Sequence, residues 1–138
     1  MPASAAIVTK FGTDVSFTYD DSTLYGDGTV VGNTIRFNPT TFKAEVIGTG
    51  GDFLNAVLNV TITSTTSGFF LDKVDVLENG DYFLKEAGSE VNAFLFTQAS
   101  SNTSVQTSNI VTDETGDLSS AGPTIFDLWN LSVTNDWS

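Results

Sequence analysis

The sequence predicts an all-β fold, an antiparallel β-sandwich of the Ig-like or jelly-roll-like type. Three observations support this prediction. Thr, Ser, Val, Phe, Gly and Asn dominate, and strong helix formers seldom recur with a helical period. Turn-forming residues separate short apolar stretches at close intervals. The stretch Leu54–Ser64 alternates apolar and polar side chains with the period of a half-buried strand.

Length and charge limit the domain count and the partners. A chain of 138 residues can bury about two-thirds of its unfolded surface in one core, so residues 1–138 are predicted to form a single domain. The chain has 17 acidic and 5 basic residues and a net charge of -12. This charge argues against nucleic acid and anionic membranes as partners, because both are bound through basic patches. No apolar run approaches the length of a membrane span, so no membrane insertion of this chain is expected.

The sequence contains no Cys and no His. This excludes a disulfide framework, zinc and iron–sulfur sites, thiol catalysis and the commonest general base. Pairs of carboxylates are the remaining catalytic candidates, since such a pair can hydrolyse a glycosidic bond. Most acidic residues fall in turns or on polar strand faces, where solvation explains them. We therefore predict that the protein is not an enzyme.

The N-terminal part of the chain contains four predicted strands. Ala5–Thr9 and Asp14–Tyr19 are the first two, and Val15, Phe17 and Tyr19 alternate with polar residues in the second. Thr29–Val31 and Thr34–Phe37 are predicted to form a hairpin across Gly32-Asn33, a pair of residues typical of two-residue turns.

The middle of the chain contains the predicted core strand, Leu54–Ser64. A strand at Phe42–Ile47 precedes it, after a break at Pro39, which has no N–H to donate. The core strand is expected to form an antiparallel hairpin with Phe69–Leu77. Asn79-Gly80 is predicted to be the next turn.

The C-terminal part continues with strands at Tyr82–Lys85, Val91–Thr97 and Asn109–Val111. Surface loops rich in polar residues are expected at 98–108 and 113–122. Ile125–Thr134 is the last predicted strand. Its residue Trp129 is assigned to the core, and Phe126 and Leu128 are expected to be buried on its other face.

Carboxylate-rich turns are candidate calcium sites, because calcium takes carboxylate, amide and carbonyl oxygens. One candidate group follows the second predicted strand and the other lies in a C-terminal loop. Their members are Asp20, Asp21 and Asp27, and Asp113, Glu114 and Asp117. Turn formation explains both groups without a metal, so no cofactor is required and calcium stays an open alternative.

Aromatic residues near turns could form a platform on which sugar rings stack. Tyr25, Tyr82 and Trp137 lie near turns or the C-terminus and are the candidates for exposure. A polysaccharide is therefore an alternative partner.

Two segments carry a resemblance to a known family: GTVVGNTIRFNPTTFKAEV, starting at Gly28, and LNVTITSTTSGFFLDKVDVLENGDYFL, ending at Leu84. Their order of motifs resembles the ectodomains of PEP-CTERM bacterial surface proteins. The motifs are, in order, a strand–Gly–Asn–strand unit, F-x-P-x-x-F, an alternating strand, G-F-F-L-D and G-D-Y. The match covers a little under half of the chain and contains no catalytic motif.

The resemblance implies an exported protein of the bacterial cell surface or extracellular matrix. Proteins of this family end in a Pro-Glu-Pro sorting signal with a membrane span and a basic tail. The sequence ends at Ser138 without one, so either the tail was removed or the resemblance is confined to the β-domain. Residues 2–6 fit either the remainder of a cleaved signal peptide or a flexible lead-in.

Three functions are compatible with these observations. The first is a non-enzymatic, exported structural or adhesive protein of the cell surface or biofilm matrix. The second is a subunit of a self-assembling extracellular fibre, in which Ala5–Thr9 or Ile125–Thr134 completes the sheet of a neighbour. The third is a calcium-assisted carbohydrate-binding module.

Overall fold

The computed structural model describes residues 6–48, 50–101, 108–119 and 125–137. Within these ranges the chain forms strands and turns without any helix, and every strand pair is antiparallel. This confirms the predicted all-β, sandwich-like fold. The chain divides into two compact units, Met1–Leu71 and Asp72–Ser138, and each is described by itself. The single domain over residues 1–138 stays a prediction.

The described part of the first unit has a three-stranded sheet and a separate hairpin. Its strands are β1 (Ile7–Phe11), β2 (Val15–Asp20), β3 (Gly28–Val31), β4 (Thr34–Phe37) and β5 (Val60–Ser64). The sheet has the order β1-β2-β5, and β3 pairs with β4. Val15, Phe17 and Tyr19 of β2 are buried, and apolar side chains of β3, β4 and β5 pack against them. The central strand therefore supplies the core of this unit.

The hairpin predicted across Gly32-Asn33 is confirmed, with Val31 paired with Thr34. Gly32 has a φ of 62°, which suits the first central position of a type II′ turn. The Asn33 side chain also holds the loop before β2: its Oδ1 accepts the N–H of Asp14 at 2.8 Å, and its Nδ2 donates to Asp14 Oδ2 at 3.1 Å.

Three predictions about the strands of this unit are wrong. Burial alternates from Leu54 to Ser64 as expected, yet β5 begins only at Val60, because β2 offers pairing partners for its last five residues alone. Residues 42–47 lie outside the strands. The expected hairpin with Phe69–Leu77 does not form either, since β5 pairs with β2.

The described part of the second unit has two layers. Its strands are β6 (Lys73–Leu84), β7 (Glu90–Val91), β8 (Phe94–Ser100), β9 (Ser108–Glu114), β10 (Leu118–Ser119) and β11 (Ile125–Asp136). The strands pair as β6 with β11, β8 with β9, and β7 with β10. Leu95 of β8 meets Leu131 and Val133 of β11 in a buried core. The β6–β11 and β8–β9 pairs therefore pack through their inner faces.

The turn predicted at Asn79-Gly80 is wrong. Both residues lie within β6, where Asn79 pairs with Asn130 and Gly80 pairs with Trp129. A Cβ atom at position 80 would lie 2.6 Å from Cζ2 of Trp129. The glycine is thus explained by the close approach of the indole ring and not by a turn.

The last strand was predicted well, except for the burial of one face. Trp129 packs against the core as expected. Phe126 and Leu128 are 65% and 70% exposed, contrary to prediction, because they alternate with Trp129 and Leu131, whose side chains lie on the inner face.

The loop predicted at 113–122 begins later than expected, since Asp113 and Glu114 belong to β9.

Candidate functional site

The first unit contains a concave cleft of about 370 Å³. The turn segment Ser22–Asp27 forms one wall and Asn38–Thr41 forms the other. The first wall connects β2 to β3 and the second follows β4, so the core strands determine where both walls begin.

Aromatic rings support the cleft from inside. Tyr19 and Phe37 meet edge to face at 5.0 Å between ring centroids. Tyr25, a lining residue, lies 6.4 Å from Phe37 and 5.8 Å from Phe42. These contacts join the turn after β2 to the segment after β4.

A polar network of three side chains holds the edge of the cleft at Asp27. Tyr19 donates its hydroxyl proton to Asp27 Oδ1 at 2.5 Å, and Lys10 Nζ lies 2.8 Å from Asp27 Oδ2. Lys10 also donates to the carbonyl oxygen of Gly28 at 2.6 Å, and the N–H of Gly28 donates to the Tyr19 hydroxyl at 2.8 Å. The network joins β1, β2 and the start of β3.

Each member of the network has a shifted pKa. Hydrogen bonds from Lys10 and then Tyr19 lower the pKa of Asp27. Burial, followed by the hydrogen bond to Asp27, raises the pKa of Tyr19. The hydrogen bond to Asp27 raises the pKa of Lys10. At neutral pH the carboxylate and the ammonium are therefore both charged and bound to each other.

The cleft is suited to hydrogen bonding. Hydroxyl groups lie on both walls and belong to Ser22, Thr23, Thr40 and Thr41. Ser22 already donates its hydroxyl proton to Asp20, and Asp27 is engaged in its own network. The three threonine hydroxyls can donate to a small polar molecule. The sequence predicted the turn that forms the first wall. It did not predict the network, because Lys10 and Asp27 are 17 positions apart.

The three carboxylates of the first group of calcium candidates have different surroundings. Asp20 Oδ1 accepts the N–H of Ala6 at 3.2 Å, the N–H of Ser22 at 2.8 Å and the hydroxyl of Ser22 at 2.5 Å. The two hydrogen bonds from Ser22 are the main cause of the lowered pKa of Asp20. Asp27 belongs to the network with Lys10, and Asp21 is half-buried in the turn between them.

The three carboxylates of the second group of calcium candidates also have different surroundings. Asp113 Oδ1 accepts the N–H of Glu114 at 3.0 Å, and Asp113 Oδ2 accepts the N–H of Ser132 at 3.0 Å. Asp117 Oδ1 accepts from the amide of Asn92 at 3.4 Å. Glu114 is exposed at the end of β9.

Within the described ranges, no three acidic side chains come together as a set that could hold a metal ion. All six calcium candidates lie in these ranges. The arrangement favours the turn-forming explanation for Asp20, whose carboxylate organises its own turn. Calcium binding stays a prediction.

The aromatic candidates for a sugar platform are half-buried. Tyr25 packs in the cleft, Tyr82 lies on the inner face of β6, and Trp137 has a buried indole nitrogen. Tyr25 belongs to the first unit, and Tyr82 and Trp137 belong to the second.

Large apolar side chains are instead exposed on the opposite surface of the β6–β11 pair, which we call the outer face. It consists of the odd-numbered residues of β6 and the even-numbered residues of β11. Phe83 lies directly opposite Phe126, and their exposed fractions are 58% and 65%. The sequence contained the alternation that creates this face, but did not show which side would be covered.

Both proposed terminal donor strands are paired within the chain. β1 pairs with β2 over its full length, and β11 pairs with β6 over all 12 residues. Residue 5, the first of the predicted donor segment Ala5–Thr9, lies outside the described residues.

The described residues include no helix long and apolar enough to cross a membrane. Comparisons with protein-family models, curated proteins and solved structures found no match to the chain.

Proposed function

We propose that the protein is a non-enzymatic structural or adhesive component of a bacterial cell surface or extracellular matrix. The observation that carries this proposal is the outer face of β6 and β11. Phe83, Phe126 and Leu128 expose 58%, 65% and 70% of their surface on one side of a long antiparallel ladder. Neighbouring apolar side chains exposed in this way are typical of an interaction surface.

The sequence supports a location outside the cell. A net charge of -12 keeps copies of the chain apart in solution and suits a hydrated extracellular environment. The partial resemblance to PEP-CTERM ectodomains implies export and attachment to the surface or matrix. Asp27, the acidic residue of the cleft lining, is held by Tyr19 and Lys10, and this supports a structural role for its carboxylate.

The location of the native protein tests this proposal. We expect an antibody against the chain to label intact, unpermeabilised cells or the surrounding matrix. A cytosolic enzyme of the same organism serves as the control for cell lysis. Finding the native chain in the cytosol, unattached to any matrix, would contradict the proposal.

A fibre subunit is the second candidate, because the sheet order β1-β2-β5 leaves β1 and β5 at the edges. Edge strands offer backbone N–H and C=O groups to a strand of another chain. Since β1 and β11 are already paired internally, assembly would add these edges side by side without exchange of terminal strands. Light scattering over a wide concentration range tests this candidate. A growing mass is expected, and a monomer at every concentration would contradict this candidate.

A calcium-assisted carbohydrate-binding module is the third candidate, and the hydroxyl-lined cleft beside Tyr25 favours it. We expect millimolar calcium to raise the melting temperature and to strengthen binding on a glycan array. If calcium changes neither quantity, this candidate is wrong.

A further inference from the structure

We propose that the outer face of β6 and β11 binds a cationic polysaccharide, a polymer of amino sugars that carry free ammonium groups. This inference rests on the proposed adhesive function and names its ligand and its surface. It follows from the order of side chains along the ladder, from their lack of internal partners and from the charge of the chain.

The outer face presents three successive pairs of side chains. Phe83 and Phe126 form the first pair, Asp81 and Leu128 the second, and Asn79 and Asn130 the third. All six side chains are exposed. Directly opposite residues have Cβ atoms about 5 Å apart, and successive pairs on one face lie about 7 Å apart. The face is therefore a strip with aromatic, acidic and amide groups in that order.

This order suits a sugar chain. The apolar side of a sugar ring stacks on exposed aromatic rings, as expected at Phe83 and Phe126. The amides of Asn79 and Asn130 can both donate to and accept from hydroxyl groups. Within the described residues, neither amide nor the carboxylate of Asp81 makes a side-chain hydrogen bond or an ion pair, so all three remain available to a ligand.

The charge of the face selects the kind of sugar polymer. Asp81 lies between the aromatic pair and the amide pair, where its carboxylate can bind an ammonium group. Within the described residues neither nearby lysine pairs with Asp81. Lys73 lies at the far end of β6, 3.9 Å from Asp75, and the exposed Lys85 follows β6 without an ion pair to any described residue. With a net charge of -12, the chain repels anionic polymers and attracts cationic ones.

Other occupants fit the face less well. A second copy of the chain would also carry a net charge of -12, so two outer faces would repel each other. A peptide can bind a sheet by adding a strand to its edge. On β11, Asp113 already accepts the N–H of Ser132, which occupies one of the edge groups that such a strand needs. A polysaccharide requires only the side-chain surface.

Calorimetry on the purified full chain tests the inference, with a glucosamine hexamer as the probe at mildly acidic pH and low salt. We expect binding that weakens as salt is added. The fully acetylated hexamer is expected to bind more weakly, because it has no ammonium groups. An alginate oligomer, which is anionic, is expected not to bind.

Substitutions locate the site. The double variant Phe83→Ala with Phe126→Ala is expected to lose affinity on the order of tenfold, equivalent to about 1.4 kcal/mol. Asp81→Asn is expected to reduce both the affinity and its salt dependence. Phe96→Ala is the matched control, because Phe96 is 54% exposed on β8 and lies outside the outer face. Unchanged urea midpoints show that the variants are folded.

Three results would overturn the inference: no binding of the glucosamine hexamer, an equal loss of affinity in Phe96→Ala, or equally tight and aromatic-independent binding of a lysine hexamer. The last result would indicate attraction by charge alone or a peptide partner. Surface labelling of cells without glucosamine binding would leave the adhesive proposal standing and remove only this inference.

Discussion

Oδ2 of Asp113 accepts the backbone N–H of Ser132 at 3.0 Å, so a side chain of β9 binds the edge of β11. The hydrogen bond points away from β6, the strand with which β11 pairs. An edge N–H that is already bonded is not available to a strand of another molecule.

Removing this carboxylate is expected to destabilise the second unit and expose the edge. For Asp113→Ala we expect a loss of about 1–2 kcal/mol in the free energy of unfolding, because the carboxylate accepts hydrogen bonds from Ser132 and Glu114. Urea denaturation measures this loss, and light scattering measures any increase in association. Glu114→Ala is the matched control, since it removes the same charge from the next residue, which is exposed. Equal effects of both substitutions would contradict the role of the hydrogen bond.

Gly80 is expected to tolerate no side chain. A Cβ there would lie 2.6 Å from Trp129 Cζ2, so Gly80→Ala must displace the indole from the core. Overpacking of this kind costs about 1–3 kcal/mol. Urea denaturation followed by tryptophan fluorescence measures both the loss and the changed environment of the ring. Gly51→Ala is the control, because a Cβ at position 51 meets nothing within 4 Å. A neutral Gly80→Ala variant would show that the ring does not require the glycine.

The hydrogen bonds of Asp27 are expected to make the first unit sensitive to acid. Because Lys10 and Tyr19 lower the pKa of Asp27, this carboxylate stabilises the fold above its unfolded pKa. The stabilisation is lost as the pH falls below about 4, toward the lower folded pKa. We therefore expect Asp27→Asn to lower the urea midpoint at neutral pH. As the pH falls, the urea midpoint of this variant should decrease less than that of the unaltered chain. Asp21→Asn is the charge-matched control, and identical acid profiles for the two variants would contradict this account.

Glu78 is expected to have the opposite pH dependence. Its side chain lies half-buried on the inner face of β6, opposite Leu131, and burial raises its pKa. The folded state then binds a proton more tightly than the unfolded state, so stability falls as the pH rises from about 4 through the folded pKa. Glu78→Gln should therefore increase the urea midpoint at neutral pH, with a gain that shrinks in acid. Glu114→Gln provides the comparison on an exposed site, and a gain independent of pH would contradict the assignment.

Local sequence predicted the features that depend on neighbouring residues. The hairpin at Gly32-Asn33 needs only a glycine with positive φ between two apolar stretches, and all of these lie within a few positions. Alternation likewise located β2 and β11. It predicted the half-burial of Leu54–Ser64 correctly, although only Val60–Ser64 is paired as a strand.

Features that depend on distant residues were not predictable from the sequence. Asn79-Gly80 has the composition of a turn, but the ring of Trp129 determines its structure. Which side of β11 is covered depends on where β8 and β9 pack, so the exposure of Phe126 could not be derived from the strand itself. The cleft similarly requires the contact between Tyr25 and Phe42.

The pairing of β6 with β11 has a consequence for the speed of folding. The Thr134 hydroxyl bonds Asp75 across a separation of 59 positions, whereas Thr9 and Thr18 of the β1–β2 hairpin are 9 positions apart. Closing a long loop loses more chain entropy than closing a short one, and chains with many distant contacts fold slowly. We infer that the local hairpins form early and that the long ladder closes late. Until it closes, Leu131 and Val133 remain uncovered, so a newly made chain is most prone to aggregate during that interval.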